Sequence, residues 1–431
     1  TALGIKEISQ ELSQLSKNIK NFLEILQSRK IILNIVIEEL DELVGKYGVE
    51  RRSQIIEFEG DTEDEDLIEK EEMVVTVTGG GYIKRTALSE YREQKRGGKG
   101  ALGMNPKEED VVTNLFVANT HTPLLFFSTD GIVYKIKTWR LPVGGRNSRG
   151  KAIVNILPIN TGKSVAAIMP VDAPEEAWDS LQIFFSTSTG SVRRNALSDF
   201  TKVQANGKIA MKLPANTNLV DVRICAETDD VLLTTSLGKA IRFPVLDVRV
   251  FKGRDSTGVR GVRLAKSDLV VSMAIIRHVE VSSNDRSAYF KMRRAITGEE
   301  STEEDLTENY ITISKNRYTE LSASEEWILT LTSSGFGKRS SAHEFRVSGR
   351  GGQGITAANL LRRDDTIVAS FPVEDDDQIM LVTSAGQAIR CPVSDISRQS
   401  RTASGVKVFN TSEDEKVVSV ALIAEKNDTE T

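Results

Sequence analysis

The stretch Gly190-Ser191-Val192-Arg193-Arg194 is one copy of a pattern that recurs six times, in which a basic residue follows a turn glycine after four positions. The turn glycines are Gly81, Gly131, Gly190, Gly238, Gly335 and Gly386. The basic residues are Arg85, Lys135, Arg194, Arg242, Arg339 and Arg390. Short runs rich in β-branched and aromatic residues flank each glycine, so the pattern predicts a β-hairpin at each of the six turns.

A second glycine follows each turn glycine after 17 to 20 residues. These second glycines are Gly100, Gly150, Gly207, Gly258, Gly354 and Gly405. Six similar units rich in short strands favour a closed ring, because closure hides the sheet edges that an open array exposes. We therefore predict a mainly β fold, a six-bladed propeller-like disc that covers residues 73–426.

One interval between turn glycines is much longer than the others. Gly238 and Gly335 are 97 residues apart, whereas the other neighbouring turn glycines are 48 to 59 residues apart. The long interval contains residues 281–326, which carry 10 acidic and 6 basic groups. We interpret this segment as an insertion between the fourth and fifth units, and its role stays open at this stage.

The N-terminal part has a helical pattern instead. Apolar residues from Ile5 to Leu26 are spaced alternately three and four positions apart, which indicates a helix over residues 1–28 with one apolar seam. A second helical pattern runs over residues 31–47. The seam fits a coiled-coil arm and a core-facing helix equally well. We assign residues 1–56 to this helical region, 57–72 to an acidic linker with ten carboxylates, and 427–431 to a tail.

Composition excludes several classes of protein. The sequence has no run of eighteen apolar residues and no basic-then-apolar start, so we expect neither a membrane span nor a secretion signal. Its two cysteines, Cys225 and Cys391, cannot build a disulfide framework. These features favour a cytoplasmic protein with no membrane partner.

Charge is distributed unevenly along the chain. The net charge of the whole sequence is −5, but residues 1–72 carry −9 and residues 73–280 carry +10. The local field decides whether a polyanion is attracted. The basic middle region therefore predicts a surface for a polyanion such as nucleic acid.

The candidate DNA-binding residues fall into three groups. A segment rich in glycine and basic residues lies in the first unit, at Gln94, Lys95, Arg96, Gly97, Gly98, Lys99 and Gly100. Loops before or after the second glycines carry Arg146, Arg149, Lys208, Lys252, Arg254, Arg260, Arg346, Arg350 and Arg401. The third group is the repeat cations Arg85, Lys135, Arg194, Arg242, Arg339 and Arg390.

These residues predict a positive belt along the rim of the disc, which suits strong, salt-sensitive and largely sequence-independent binding of a bent duplex. For the repeat cations an alternative stays open. Each of them could instead form a buried ion pair that holds its own blade.

Little in the sequence points to catalysis. The three histidines, His121, His278 and His343, are scattered without metal-ligand spacing, and no P-loop, G-x-S-x-G or H-E-x-x-H motif occurs. We therefore expect no catalytic residue, no metal site and no cofactor in this chain.

The segment Gln94-Lys95-Arg96-Gly97-Gly98-Lys99-Gly100 resembles the box that marks the C-terminal domain of DNA gyrase A. Gly335-Phe336-Gly337-Lys338-Arg339 and the six-unit count agree with this resemblance. Residues Gly48 to Ile55 resemble the end of the family's breakage–reunion portion, although Val49 stands where the family usually has Asp and Ser53 where Thr is usual.

The resemblance implies a DNA-wrapping β-pinwheel, in which blades exchange strands, within a type II topoisomerase that introduces negative supercoils. The partners it implies are double-stranded DNA, the other gyrase polypeptide, gyrase B, and a second copy of gyrase A in an A2B2 heterotetramer. ATP and magnesium would belong to other parts of that enzyme. The family's DNA-cleaving tyrosine would lie before Thr1, so this chain should have no activity alone.

Three alternatives remain open. The equivalent domain of topoisomerase IV looks similar, but it typically has a degraded box and fewer regular units. A protein-interaction propeller would make the basic region incidental. A propeller-type hydrolase would need an axial cluster of carboxylates or histidines, and we find none in the sequence.

Overall fold

The computed structural model describes residues 2–49, 67–78, 80–90, 112–145, 148–253, 256–297, 313–362, 364–384, 388–410 and 415–423. The chain divides into two compact units, Thr1–Glu63 and Asp64–Thr431. No helix among the described residues is long and apolar enough to span a membrane.

The first unit contains two helices, α1 (Ala2–Gln27) and α2 (Arg29–Tyr47), separated at Ser28. Both helices agree with the helical patterns of the sequence. The apolar seam of α1 is exposed, and Leu12 keeps 69% of its surface accessible. The seam is therefore not buried by the described residues.

The second unit is a six-bladed β-propeller, as predicted. Each blade has a hairpin of two strands and a third strand that pairs antiparallel with the first strand of the hairpin. Blade one consists of β1 (Glu72–Thr78), β2 (Tyr82–Ala87) and β3 (Val112–Asn119). Blade two consists of β4 (Pro123–Ser128), β5 (Ile132–Lys137) and β7 (Val165–Pro170). Blade three consists of β8 (Gln182–Thr187), β9 (Ser191–Ala196) and β11 (Leu219–Cys225). Blade four consists of β12 (Asp229–Thr235), β13 (Lys239–Pro244) and β15 (Val270–Arg277). Blade five consists of β16 (Trp327–Thr332), β17 (Phe336–Ser341) and β19 (Ile367–Val373). Blade six consists of β20 (Gln378–Thr383), β21 (Ala388–Pro392) and β23 (Val417–Ile423).

A short fourth strand completes five of these sheets, and in each case it comes from the next unit along the chain. The five exchanged strands are β6 (Lys151–Ala152), β10 (Lys208–Ile209), β14 (Val259–Arg260), β18 (Ile355–Thr356) and β22 (Val406–Lys407). They pair antiparallel with β2, β5, β9, β13 and β17 respectively. The strand exchange implied by the family resemblance is thus confirmed in these five blades.

The strand order places the exchanged strands at the perimeter of the ring. Each of the five four-stranded sheets has its third strand at one end and the exchanged strand at the other, as in the order β11-β8-β9-β14. The third strands of neighbouring blades contact one another, for example β11 with β15 and β15 with β19, and β23 contacts β3 to close the ring. The third strands therefore surround the axis, and the exchanged strands lie at the outer edge.

Both repeat glycines are required by the backbone. At the turn between β4 and β5, Gly131 has a φ of +82°, and a Cβ there would lie 2.4 Å from the carbonyl oxygen of Met211. Gly258, just before β14, has a φ of +81°, and its Cβ would lie 2.3 Å from the oxygen of Val192. The first glycine thus allows the hairpin turn, and the second allows the exchanged strand to approach the preceding blade.

The core runs between neighbouring blades. Between blades two and three, Phe127 and Phe185 are fully buried with their ring centroids 5.7 Å apart. Phe200 and Trp178 are also fully buried in this cluster. Burying an aromatic side chain of this kind contributes about 1.5–3 kcal/mol, so contacts between blades stabilise the ring together with those within each sheet.

The insertion between blades four and five is helical. It contains α3 (Ser283–Thr297) and α4 (Lys315–Ala323), so the region after Met73 is not β throughout. The two helices pack around Tyr289, Phe290 and Leu321. The insertion is therefore a small helical element with its own apolar core.

Candidate nucleic-acid interface

The candidate interface consists of five segments that lead from one blade to the exchanged strand on the preceding blade. Each segment starts where a short 3-10 turn ends and finishes at the second glycine of its unit. We call them the exchange loops, and they are residues 141–150, 201–207, 248–258, 345–354 and 396–405.

The exchange loops are strongly basic. Their described residues include eight lysines and arginines and no acidic residue. Because each loop leads into an exchanged strand, all five lie at the outer edge of the propeller. Their charge therefore forms a belt of positive groups at the perimeter.

The structure exposes most of the described cations that were selected from the sequence in or next to these loops. The exposed ones are Arg149, Lys252, Arg260, Arg346 and Arg350. Lys208 and Arg401 are half-buried. Arg146, Arg254 and the whole segment Gln94–Gly100 lie outside the described residues.

Some loop cations also have contacts that orient their side chains. The guanidinium of Arg149 lies over the ring of Tyr82, 4.0 Å from its centroid, and that of Arg249 lies 4.6 Å from the centroid of Phe251. Arg350 donates hydrogen bonds to the carbonyl oxygens of Asp247 and Arg260 at 3.0 and 3.2 Å. A guanidinium held in this way loses less side-chain entropy when it binds a phosphate.

In each of three exchange loops, backbone carbonyl oxygens accept hydrogen bonds from a buried basic residue. The sequence analysis did not identify these three residues as contacts of the loops. Lys84 donates a hydrogen bond to the carbonyl oxygen of Gly145 at 3.0 Å. Arg193 bonds the oxygens of Gly253 and Ser256. Lys338 bonds those of Ser400, Arg401 and Ala403. These three buried cations thus find acceptors in the carbonyl oxygens of the loops.

Burial affects the protonation of these supporting cations. Desolvation lowers the pKa of Lys338 to about 7, and the nearby carboxylate of Glu344 partly opposes this effect. Desolvation also lowers the pKa of Lys84. Their ammonium groups are therefore poor candidates for contact with DNA and act as internal supports of the loops.

A sequence signal for these supports exists, but it is incomplete. Lys84, Arg193 and Lys338 each follow a turn glycine by three positions, in units one, three and five. Units two, four and six have Tyr134, Ile241 and Ile389 at that position. Only alternate units carry the cation, so a search for residues common to all six units does not find it.

The repeat cations do not all lie in the exposed belt that the sequence predicts. Arg194, Arg242 and Arg339 are only 4%, 3% and 6% exposed, so the expectation that they line the rim is wrong for these three. Arg85 and Lys135 are half-buried, and Arg390 is exposed. Burial keeps the three arginines away from a DNA phosphate.

Four of the buried and half-buried repeat cations join neighbouring blades, whereas Arg194 contacts Gln182 and Glu227 of its own blade. Arg85 Nε donates to the carbonyl oxygen of Leu141 at 2.9 Å, and Lys135 contacts Glu175 and the oxygen of Thr201. Arg339 bonds Asp375 and the oxygens of Ser394 and Ile396 in the next unit. The alternative role, a buried ion pair or clamp, therefore describes Arg194, which contacts its own blade, and Arg339, with the difference that Arg339 holds the next blade.

Arg242 has the most complete set of such contacts. Its Nε lies 2.7 Å from Oδ2 of Asp230, which is fully buried, and its Nη1 donates to the oxygen of Ala342 at 2.8 Å. His278 contributes a ring nitrogen 2.9 Å from Oδ1 of the same aspartate. A buried carboxylate with two such partners replaces the hydration that it loses on folding.

The other two histidines have similar structural contacts. His121 Nδ1 lies 3.0 Å from the hydroxyl of Thr120, and His343 Nε2 donates to the oxygen of Leu321 at 2.9 Å. Among the described residues no group of three or more His, Cys, Asp or Glu side chains could hold a metal ion.

A family model described as DNA gyrase C-terminal domain, beta-propeller, matches six segments of the chain, residues 72–119, 122–172, 182–226, 229–277, 326–374 and 377–424. Each segment corresponds to one blade. DNA gyrase A of Rickettsia prowazekii is 43% identical over 100% of this chain, which covers 48% of that protein. DNA gyrase A of Haemophilus influenzae is 34% identical, with 99% of this chain and 46% of the relative covered. The chain thus spans about half the length of these relatives.

Two solved structures share the fold. The C-terminal domain of DNA topoisomerase IV aligns with a TM-score of 0.60 and 22% identity, over 83% of this chain and 94% of that one. A DNA gyrase A C-terminal domain aligns with a TM-score of 0.56 and 22% identity, over 82% of this chain and 100% of that one.

Proposed function

The chain belongs to the DNA gyrase C-terminal domain, beta-propeller family, and on this premise we propose that its exchange loops bind duplex DNA and wrap it around the propeller. One observation carries the proposal. Five successive blade junctions present basic loops at the outer edge, with eight cations and no carboxylate among their described residues. A duplex that follows this edge meets a similar positive loop at each of these junctions.

The physical consequence is strong binding that depends on salt. Each phosphate that a lysine or arginine neutralises releases counterions, so the logarithm of the affinity falls by about 0.9 per contact and per logarithmic unit of salt. Bending 20–30 base pairs by 40–90° costs on the order of 1–6 kcal/mol, which contacts along the curve must offset. Loops spaced around a perimeter can supply these contacts only to a duplex long enough to reach several of them.

A length series tests wrapping. Linear duplexes of increasing length, up to more than about a hundred base pairs, are titrated with the chain at several salt concentrations. We expect the affinity and the steepness of its salt dependence to rise with length until the perimeter is covered. An affinity that does not depend on length contradicts wrapping, and the absence of binding contradicts the proposal altogether.

The segment Gln94–Gly100 is proposed as the clasp that gives the wrapped DNA its handedness. Nicked circles ligated in the presence of the chain should show a shifted topoisomer distribution. Alanines at Lys95, Arg96 and Lys99 should abolish the shift and leave the fold intact. Alanines at Lys163, Lys212 and Lys266, three exposed cations outside the exchange loops, remove the same charge and serve as the control. Equal shifts for the two triple variants would show that the segment is not the clasp.

The same assay separates two candidate enzymes. A gyrase domain should shift the distribution, whereas the topoisomerase IV alternative would bind DNA without a fixed handedness. The relatives at 43% and 34% identity, both of them DNA gyrase A proteins, favour the first. An unchanged distribution with DNA bound would favour the second.

In the whole enzyme we propose a type II topoisomerase that introduces negative supercoils, with ATP hydrolysed by gyrase B. Two copies each of gyrase A and gyrase B, magnesium and a cytoplasmic location complete this proposal. The full-length gyrase A protein, mixed with gyrase B, ATP and magnesium, should supercoil a relaxed plasmid. This chain alone should not, and supercoiling by this chain alone would contradict the assignment.

A further inference from the structure

The helical insertion is attached firmly to blade five. The rings of Tyr289 on α3 and His343 lie 5.7 Å apart in an edge-to-face arrangement. His343 Nε2 donates to the carbonyl oxygen of Leu321 at the end of α4. Tyr289 also donates its hydroxyl to Glu325 at 2.8 Å, and Arg293 pairs with the same carboxylate at 2.7 Å. The position of α3 relative to the turn Ala342–Glu344 is therefore fixed by packing and polar contacts.

Arg286 is placed near that turn by the same attachment. It precedes Tyr289 by three residues on α3, so both side chains lie on the same face of the helix. Its Nε is buried and has no hydrogen-bond partner among the described residues. A buried guanidinium nitrogen without an acceptor is costly, and such a group calls for an explanation.

The surroundings of Arg286 are positive. Burial is the main cause that lowers its pKa, and the like charges of Arg242, Arg346 and Arg401 add to the effect. Arg346 and Arg401 belong to the exchange loops of blades five and six. Arg346 follows the turn Ala342–Glu344 closely, and the backbone nitrogen of Arg401 donates to Glu344 in that turn, so both arginines lie near the place where α3 is attached.

The described carboxylates near this cluster already have partners. Asp230 is engaged by Arg242 and His278. Glu344 accepts a hydrogen bond from the backbone nitrogen of Arg401, and burial raises the pKa of its carboxyl group. Glu325 pairs with Arg293 and accepts a hydrogen bond from the hydroxyl of Tyr289. Among the described residues Nε of Arg286 has no acceptor, and an anion from outside the chain would supply one.

We propose that Arg286, Arg346 and Arg401 form a binding site for a backbone phosphate of duplex DNA, which the insertion adds to the perimeter at blades five and six. Guanidinium groups suit this ligand because their planar N–H groups match the oxygens of a phosphate. The site rests on the proposed DNA binding. It goes beyond that proposal because Arg286 lies in the stretch between residues 277 and 326 that the family model does not match.

The two roles of Arg286 predict opposite effects on stability. If Arg286 were a structural contact, its replacement would destabilise the chain. If it is held for an external phosphate, Arg286→Gln relieves repulsion between like charges. The unfolding temperature without DNA should then stay the same or rise at low salt. DNA binding should weaken in the same variant.

The experiment compares three variants of the full chain on a long linear duplex. For Arg286→Gln we expect the slope of log affinity against log salt to become shallower by about 1, the effect of one lost phosphate contact. Lys315→Gln removes the same charge from an exposed position of the same insertion and should match the wild type. Arg286→Lys keeps the charge and should recover most of the slope.

The outcomes separate this site from the general proposal. If the wild type binds the duplex and Arg286→Gln matches Lys315→Gln, the insertion site is wrong and the exchange loops are unaffected. Lower thermal stability of Arg286→Gln would assign the residue a structural role and also overturn the site. If the wild type does not bind the duplex, the proposed function itself fails.

Discussion

Two regions of the propeller carry arginines and lysines in every or nearly every unit, but these side chains have different surroundings in the two regions. The strands that follow the turn glycines place Arg194, Arg242 and Arg339 in the interior, where they bond carbonyl oxygens and polar side chains. The exchange loops place Lys252, Arg346 and several others in solvent. The same residue type, repeated with the same period, is thus a contact within or between blades in one region and a candidate phosphate ligand in the other.

The difference comes from the neighbouring blade. A side chain on the hairpin strand next to the perimeter is covered by the exchange loop of the following unit. Its polar atoms must then be satisfied by that loop, as Arg85 is by Leu141. A cation in the loop itself has nothing further out to cover it. Charge next to the perimeter therefore stabilises the ring, and charge at the perimeter is available to a ligand.

The sharpest test of this comparison replaces equivalent residues in two blades. Arg242→Met leaves the fully buried Asp230 without its main partner, and the oxygens of Ala342 and Arg277 lose a donor. Removing one partner of a buried pair costs about 3–5 kcal/mol. Arg390 has the same position in blade six but is exposed, so Arg390→Met should cost less than about 0.5 kcal/mol. Urea unfolding measures both.

The partner substitution checks the cause of this effect. Asp230→Asn removes the buried negative charge, and in the Arg242→Met background it should recover part of the lost stability. Equal losses for Arg242→Met and Arg390→Met would contradict the division into buried and exposed cations.

The spacing of glycines was sufficient to predict the architecture. A turn glycine needs a positive φ, and Gly81 and Gly190 have φ values of +79° and +82° at the predicted hairpins. The second glycines were also found from spacing alone. Their structural reason, a close approach to the preceding blade, became visible only in the structure, because the pairing partner of β14 lies more than sixty residues earlier in β9.

The burial of the repeat cations could not be predicted for the same reason. Arg242 bonds the carbonyl oxygen of Ala342, a residue one hundred positions away and beyond the insertion. No local pattern shows which loop will cover a given strand residue. The sequence analysis did not predict the helices of the insertion, because it rested mainly on the charge of that segment. The contact between Tyr289 and His343 could not be predicted either, since the two residues belong to different units.

A smaller effect is expected from the buried support of an exchange loop. Lys338→Met leaves the oxygens of Ser400, Arg401 and Ala403 without their donor. We expect a loss of about 1–3 kcal/mol in the free energy of unfolding. Ile241 occupies the equivalent position in unit four, and Ile241→Met should cost less than about 1.5 kcal/mol because it conserves apolar volume.

The loss caused by Lys338→Met should also depend on pH. The pKa of Lys338 is about 7 in the folded chain and 10.5 when unperturbed. Between these values the unfolded chain binds a proton that the folded chain does not, so the stability of the wild type rises with pH in this window. The variant lacks this contribution. The difference between the two proteins should therefore grow from pH 7 to pH 10, and a constant difference would show that the ammonium is not desolvated.

We expect substitutions at the perimeter itself to have the smallest effect on stability and the clearest effect on DNA binding. Lys252 and Arg260 are exposed in or beside the exchange loop of blade four, so Lys252→Gln with Arg260→Gln should change the free energy of unfolding by less than about 0.5 kcal/mol. Each lost phosphate contact lowers the salt slope by about 1, so the double variant should lose about 2. Lys163→Gln with Lys212→Gln removes the same charge outside the exchange loops and controls for net charge. Equal slopes for the two double variants would mean that the loop cations act only through the general field of the protein, and the perimeter would then have no defined path for DNA.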